Sequence, residues 1–490
     1  VARTRSWTVW TGAATMLTAQ LSTVVGQFVY SAFTARVLSP TDFGEFAIAL
    51  SLYGLLNLPV SSAVVSVILS ERDLSDATVF RMRVFAACGG LFAALLLLVV
   101  SGRCYELFGS LGSAIYTQVF VIALFAGPIC ALEGALFRRE SHARIDAAIL
   151  ITGYILSAGV AATVIYVTRD ARGLALVPLI STAAGGLLSS ICRDRRYSVV
   201  LRGASRTHLH GIGVMIQNLG FLVLSLLPTW SLGFVAGPEP VGQFSRAASI
   251  TITVSATVLG ALYRVIAPVY RTVDASRMRD AVGDMFLVAI PIIALPYITL
   301  AIVSPILIPI WLGPGWDPAI QLCAILSLGC IAQVLTGLVT NALEMLRNLS
   351  AVRVSIGSGL ATMVAFLGAL YFTHQPVWAA VAHSTSAWVG LFALLVFGRI
   401  GGKPIFANRY RQLVAQVIPV ILVNGGGALV VYMASRALLS IDSSTLNGCV
   451  ILLLVGTAGL FLMLIVLFTT PARKILAERG IVRLNMPRSA

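Results

Sequence analysis

Fourteen long apolar runs, each followed by a short polar connection, account for the whole chain. They fall at about 9–35, 44–70, 84–101, 114–137, 147–168, 174–192, 211–236, 244–270, 283–311, 318–346, 351–372, 376–398, 412–436 and 445–470. A bilayer crossing by an α-helix takes ~20 predominantly apolar residues. Spread over 490 residues, fourteen runs use about 35 residues each, one crossing plus a short connection. The longest connection is 193–210, and nothing is left over for a folded domain outside the bilayer. The pattern predicts an all-α polytopic membrane protein with about 14 transmembrane helices.

The charges between the runs fix an orientation. Arg3, Arg5 and the even-numbered connections, together with the tail Arg473, Lys474, Arg479, Arg483 and Arg488, hold 27 of the 34 basic residues. The opposite side holds six: Arg36, Arg103, Arg169, Arg172, Arg246 and Arg436. Arg264 alone lies well inside a run, away from its ends. An excess of Lys and Arg marks cytoplasmic loops, so both termini are expected in the cytoplasm. Overall composition agrees: 58% hydrophobic and 11% charged, against ~25% charged in a soluble protein. The net charge of +15 is therefore read as membrane topology and lipid contact, not as a nucleic-acid surface. All but two of the 34 basic residues are arginine, a bias that fits a bacterial source. No cleavable signal peptide is expected, because the first run is long and continues into a multi-span pattern.

A second pattern is an internal duplication. Residues 36–51, RVLSPTDFGEFAIALS, and residues 234–249, FVAGPEPVGQFSRAAS, share six identities at a constant offset of 198. Val37, Pro40, Gly44, Phe46, Ala49 and Ser51 match Val235, Pro238, Gly242, Phe244, Ala247 and Ser249. Both are turns on the same side, where Pro ends one helix, Gly permits a tight turn and Phe re-enters lipid as an interface anchor. Six runs separate the copies, so the halves keep one orientation. The expected architecture is two parallel six-helix lobes around a central cavity, plus two C-terminal helices. The lobes would span 1–192 and 211–400, joined by a cytoplasmic linker at 193–210, with 401–490 holding helices 13 and 14 and a basic tail.

The segments RVLSPTDFGEFAIALSLYGL (36–55), AGPEPVGQFSRAASI (236–250) and PIWLGPGWDPAIQLCAILSLG (309–329) resemble the polysaccharide-transporter branch of the multidrug/oligosaccharidyl-lipid/polysaccharide exporter superfamily. The resemblance runs from residue 1 to about 400. It implies a flippase of the bacterial cytoplasmic membrane that moves a polyprenyl-pyrophosphate-linked oligosaccharide for cell-surface polysaccharide biosynthesis. Alternating access of a V-shaped cavity is the implied mechanism. The implied partners are that lipid-linked substrate, membrane lipids, and a polysaccharide polymerase and glycosyltransferases. Two alternatives share the fold: a small-molecule or drug:cation antiporter, and a lipid II flippase.

The candidate chemistry is sparse. There is no GxxxxGK[ST] phosphate loop, no HExxH and no nucleophile elbow, so neither an enzyme nor a cofactor is expected. The seven cysteines show no metal-ligand spacing, and the isolated pair His208 and His210 is too weak a signal for a metal site. In the first run Gln20, Thr23, Gln27, Ser31 and Thr34 share one helical face. At the offset of 198, Asn218 and Ser225 stand where Gln20 and Gln27 stand. Polar stripes avoid lipid, so these faces either line a wet cavity or bond neighbouring helices. Arg264 is a candidate pyrophosphate ligand, since a guanidinium offers a two-pronged donor; snorkelling to the surface is the alternative. Arg36 and Arg246 are candidate outer phosphate contacts, or solvated interface residues. Glu133 either pairs with an arginine such as Arg138 or couples proton movement. His383 is expected to be packed and hydrogen-bonded.

Overall fold

The computed structural model describes residues 2–71, 74–139, 143–193, 197, 208–272, 275–345, 349–400 and 403–405. Twelve α-helices occur among them: α1 Ala2–Val37, α2 Pro40–Ser70, α3 Asp76–Phe108, α4 Leu111–Arg139, α5 Ala143–Thr168, α6 Leu176–Cys192, α7 His208–Ala236, α8 Pro238–Thr272, α9 Ala275–Leu312, α10 Asp317–Met345, α11 Ser350–Thr373 and α12 Val377–Phe397. Each coincides with one of the first twelve apolar runs. The runs at 412–436 and 445–470 and the basic tail lie outside the described residues. Ten of the described helices are long and apolar enough to cross a membrane. A two-residue hairpin, β1 Arg399–Ile400 with β2 Lys403–Pro404, follows α12.

The helices outrun the apolar patterns because polar caps set their ends. Ser39 accepts from the Asp42 backbone N–H at 3.3 Å, while the Asp42 carboxylate accepts from the Ser39 N–H at 2.9 Å, with Pro40 opening α2. This reciprocal box satisfies two of the donors that every helix start leaves open. Ser75 caps α3 through the Thr78 N–H at 3.2 Å, and α3 ends at Gly109, whose φ of 62° suits glycine. Thus α3 runs over Asp76–Phe108, well beyond its apolar stretch at 84–101.

The chain forms two compact units. The first holds residues 1–246 and 370–376, that is α1–α7 and the opening of α8. Within it α4 packs on α2, α3 and α6, while α1 packs on α5, and α2 on α7. The second holds 247–369 and 377–490; in its described part α10 packs between α9 and α12. There α9 contains Pro291, Pro296, Pro305 and Pro309. Pro305 has no N–H to give the Ala301 carbonyl four residues back, and the Ser304 hydroxyl donates to that carbonyl at 3.0 Å instead. A membrane helix tolerates proline where a neighbouring hydroxyl fills the gap in this way. Large apolar side chains such as Phe92, Val99, Val167 and Phe372 are more than two-thirds exposed, as lipid-facing positions are.

Candidate functional site

The duplicated turns meet each other inside the first unit. Pro40 and Pro238 open α2 and α8, and one turn into each helix stands a glycine. A Cβ on Gly44 would lie 1.7 Å from the Pro238 carbonyl oxygen; one on Gly242 would lie 1.8 Å from that of Pro40. The two helix starts therefore cross backbone against backbone, reciprocally, and only a residue without a side chain fits at either position.

One turn beyond Gly242 stands Arg246. Its Nη1 donates to the Ser31 hydroxyl of α1 at 3.0 Å, and its guanidinium carbon sits 4.4 Å from the ring centroid of Phe43. The stacked ring and the hydroxyl hold the positive charge in one place. Tyr30 lies within electrostatic range of it, and the buried Tyr30 hydroxyl has no hydrogen-bond partner among the described residues. A fixed guanidinium, with an unused hydroxyl in the same seam, can receive an anionic oxygen. Arg246 is thus half-buried at a helix–helix seam rather than a solvated interface residue, because α1 and α2 bring it partners about 200 residues away in sequence.

The polar stripe of α1 runs into this seam. Thr34 is buried and donates to the Tyr30 carbonyl at 2.9 Å, and Ser31 is buried beneath Arg246. Further along, Thr23 is half-buried, while Gln20 and Gln27 are exposed. On α7, Asn218 is half-buried and Ser225 exposed. Arg36 is exposed in the last turn of α1. Arg264 belongs to α8, but its side chain lies outside the described residues.

Glu133 occupies a separate cluster at the far ends of α3 and α4. Arg83 Nη2 stands 2.9 Å from its Oε1, and Arg193, just past α6, pairs with its Oε2. Arg193 also covers the Tyr197 ring, which packs on the apolar cluster of Val64, Ile68, Leu132 and Leu136. Arg138, the partner expected from sequence, is exposed; five residues along a helix carry a side chain 140° away from Glu133. The neighbouring Arg139 instead bonds the Ile68 carbonyl at 2.9 Å and that of Glu71, closing the end of α2. No group of three or more His, Cys, Asp or Glu that could hold a metal ion occurs among the described residues.

Sequence reasoning missed Tyr30 and Phe43. A phenol in the middle of an apolar run, beside a serine of the polar face, was the available signal for the first. Nothing distinguished Phe43 from other interface aromatics.

Residues 33–321 match the family described as "Polysaccharide biosynthesis protein". Among curated proteins none matches the sequence significantly. Among solved structures, the lipid II flippase MurJ in an inward closed conformation is similar with a TM-score of 0.66 at 11% identity, over 95% of this chain and 99% of that one. A eukaryotic MATE transporter gives 0.56 at 14% identity, over 81% and 97%. A Vibrio cholerae MATE transporter gives 0.53 at 12% identity, over 79% and 95%. At such identities the structures establish the fold, and the family rests on the sequence match. That match spans more than half of the chain, so this multi-helix chain, with the fold it shares with those transporters, belongs to the polysaccharide biosynthesis protein family.

Proposed function

We propose that the protein flips a polyprenyl-pyrophosphate-linked oligosaccharide across a bacterial cytoplasmic membrane by alternating access, with both termini in the cytoplasm. The observation that carries this reading is the guanidinium of Arg246, fixed by Ser31 and Phe43, with the unused Tyr30 hydroxyl within electrostatic range. A pyrophosphate crossing a low-dielectric region needs a stationary positive charge and oriented donors, and this seam supplies both. The polyprenyl tail needs neither, because it stays in lipid. Gln20, Gln27, Asn218 and Ser225 are assigned to the sugar hydroxyls, which neutral amides and hydroxyls match without the cost of a second charge. Arg264 is assigned to the pyrophosphate on the opposite side and Arg36 to its release. Glu133 takes the structural part of the two roles open to it, since both of its oxygens already carry an arginine. A drug:cation antiporter would use an uncompensated carboxylate instead. Glycosyltransferases supply such a substrate, and a polymerase consumes it.

The test compares Arg246→Ala and Arg246→Lys in cells whose surface polysaccharide depends on this gene. Loss of a charge-assisted contact of about 1.5–3 kcal/mol predicts a fall in export of roughly 10- to 100-fold for Arg246→Ala. Arg246→Lys keeps the charge but not the fork, so it retains part of the activity. Undiminished surface polysaccharide from an inserted Arg246→Ala protein, by immunoblot of intact cells, would refute the assignment.

A further inference from the structure

The second unit contains a hydrogen-bonded chain that the reading above does not use. On α10 the Cys330 thiol donates to the Gln333 side-chain oxygen at 3.8 Å, and Gln333 Nε2 stands 2.6 Å from His383 Nε2 on α12. The side chains of Thr251 and Ser255 on α8 are near enough to interact with the Cys330 thiol, and Ser255 shares a hydrogen bond with the Tyr297 hydroxyl of α9. Hydrogen bonds thus join α10 to α12 and α8 to α9, and Cys330 brings the two pairs side by side.

The chain has a direction. With its oxygen taken by Cys330, Gln333 presents its NH2 to the ring, so His383 Nε2 accepts and the ring hydrogen sits on Nδ1. That Nδ1 is buried and has no hydrogen-bond partner among the described residues. An unsatisfied buried N–H costs about 1–3 kcal/mol and calls for an explanation. Adding a proton turns Nε2 from acceptor into donor. Gln333 then has to rotate and present its oxygen, which takes the acceptor away from Cys330. The thiol turns to Thr251 or Ser255, and the change arrives on α8, five and nine residues along the helix from Arg246. The titratable groups closest to this chain, Cys330 on α10 and Tyr297 on α9, are uncharged at neutral pH. The described charged residues on the elements that carry the chain are Glu239 and Arg246 on α8, Arg279, Asp280 and Asp284 on α9, Asp317 in the first turn of α10 and, after α12, Lys403 on β2. Proton uptake therefore adds one positive charge to a line of neutral groups, and the amide turns that change into a reorientation.

We propose that His383 is a proton-binding site whose charge is relayed through Gln333 and Cys330 to α8, linking proton uptake to the helix that holds the anion. The inference deepens the flippase reading by naming the coupled ion, and its direct test does not depend on the substrate. Full-length protein carrying 15N-labelled histidine and glutamine side chains, in phosphatidylglycerol/phosphatidylethanolamine nanodiscs, is titrated by NMR, with His383→Gln providing the assignment. At high pH the His383 ring carries its hydrogen on Nδ1; on acidification both nitrogens become protonated, and the Gln333 amide and the Ile250 methyl on α8 shift with the same midpoint. Gln333→Glu, which sets a carboxylate against the ring, raises that midpoint by about 1–3 pH units. Cys330→Ala leaves the His383 titration in place and removes the response of Ile250. A ring that stays neutral wherever the protein is folded overturns the proposal, as does a hydrogen on Nε2 at high pH, or an Ile250 response that persists in Cys330→Ala. Surface polysaccharide that survives deletion of the gene, alongside an intact His383 titration, would reject the flippase reading and leave the proton site standing.

Discussion

Substituting Gly44 by alanine tests the reciprocal crossing of α2 and α8 with the smallest possible change. The added Cβ would sit 1.7 Å from the Pro238 carbonyl oxygen and 2.5 Å from its carbon. Both are backbone atoms, so no side chain can swing aside to relieve the clash. The gap has to widen by at least about 1.3 Å, which moves one helix start against the other. Overpacking of this kind costs about 1–3 kcal/mol when the structure yields, and more when it cannot. Gly242→Ala does the same from the other side, at 1.8 Å from the Pro40 oxygen. Gly54→Ala on the same α2 is the control: nothing lies within 4 Å of its Cβ, so the change gains up to about 1 kcal/mol of helix propensity.

The assay is the apparent melting temperature of purified protein in a mild detergent, followed by thiol-reactive dye, with surface polysaccharide scored in parallel. Gly44→Ala and Gly242→Ala are each expected to lower Tm by several degrees, roughly 2–4 °C per kcal/mol for a unit of this size. Gly54→Ala is expected to leave Tm unchanged or raise it. Because one displacement relieves both clashes, the double variant should cost clearly less than the two losses added together. Gly44→Ala with unchanged Tm and unchanged export, or a strictly additive double variant, would show that the two helix starts do not touch in the membrane.

Three further outcomes follow from the same geometry. Glu133→Gln leaves Arg83 and Arg193 facing a neutral amide, and should destabilise the protein by about 3 kcal/mol, read as a lower midpoint in SDS unfolding; Arg138→Gln, at an exposed position, should change that midpoint little. Ser51→Ala removes the acceptor that Trp230 Nε1 reaches at 2.7 Å, for an expected loss of about 1 kcal/mol in the same measurement, with Trp230→Phe giving a similar loss and the pair coupled. Single cysteines at residues 40, 110 and 240 should react with an impermeant maleimide from outside intact cells, and those at 76 and 200 only after permeabilisation. One position reporting from the wrong side would break the orientation read from the arginines.

How much of this could be seen in the chain beforehand depends on the range of the interaction. Apolar runs are local, so all twelve described helices fall where the runs are. Their ends shift outward where caps such as Ser75 and Gly109 lie beyond the apolar stretch. The repeat was also legible, because matching turns need matching Pro and Gly at matching places. What a repeat cannot reveal is that its two copies touch: equivalence of Gly44 and Gly242 is a statement about each turn, whereas their crossing is a statement about the pair. The site residues fail in the same way. Arg246 finds Ser31 and Glu133 finds Arg83 and Arg193 at separations of 215, 50 and 60 residues, and no helical period carries information over such distances.

The most informative part of the sequence was therefore the part that broke its own rule. In a bilayer the gain from packing one apolar helix on another is modest, since lipid solvates apolar surface as well as protein does. Close backbone contact and oriented polar groups are what hold particular helices together, and they are also what a transport cycle can rearrange. Gly44 and Gly242 are positions where an apolar side chain would have been the default in a lipid-facing turn. Ser31, Arg246, Gln333 and His383 are positions where it would have been the default in a span. Each exception costs insertion energy, and each is found in a contact or hydrogen bond that joins two helices. The pairs these exceptions join, α1 and α2 with the start of α8 in the first unit and α10 with α12 in the second, are contacts that a transport cycle can rearrange. Helices α3 and α5 present long rows of exposed Leu, Val, Ile and Phe, and their outer faces are expected to keep the same lipid-facing role through the cycle.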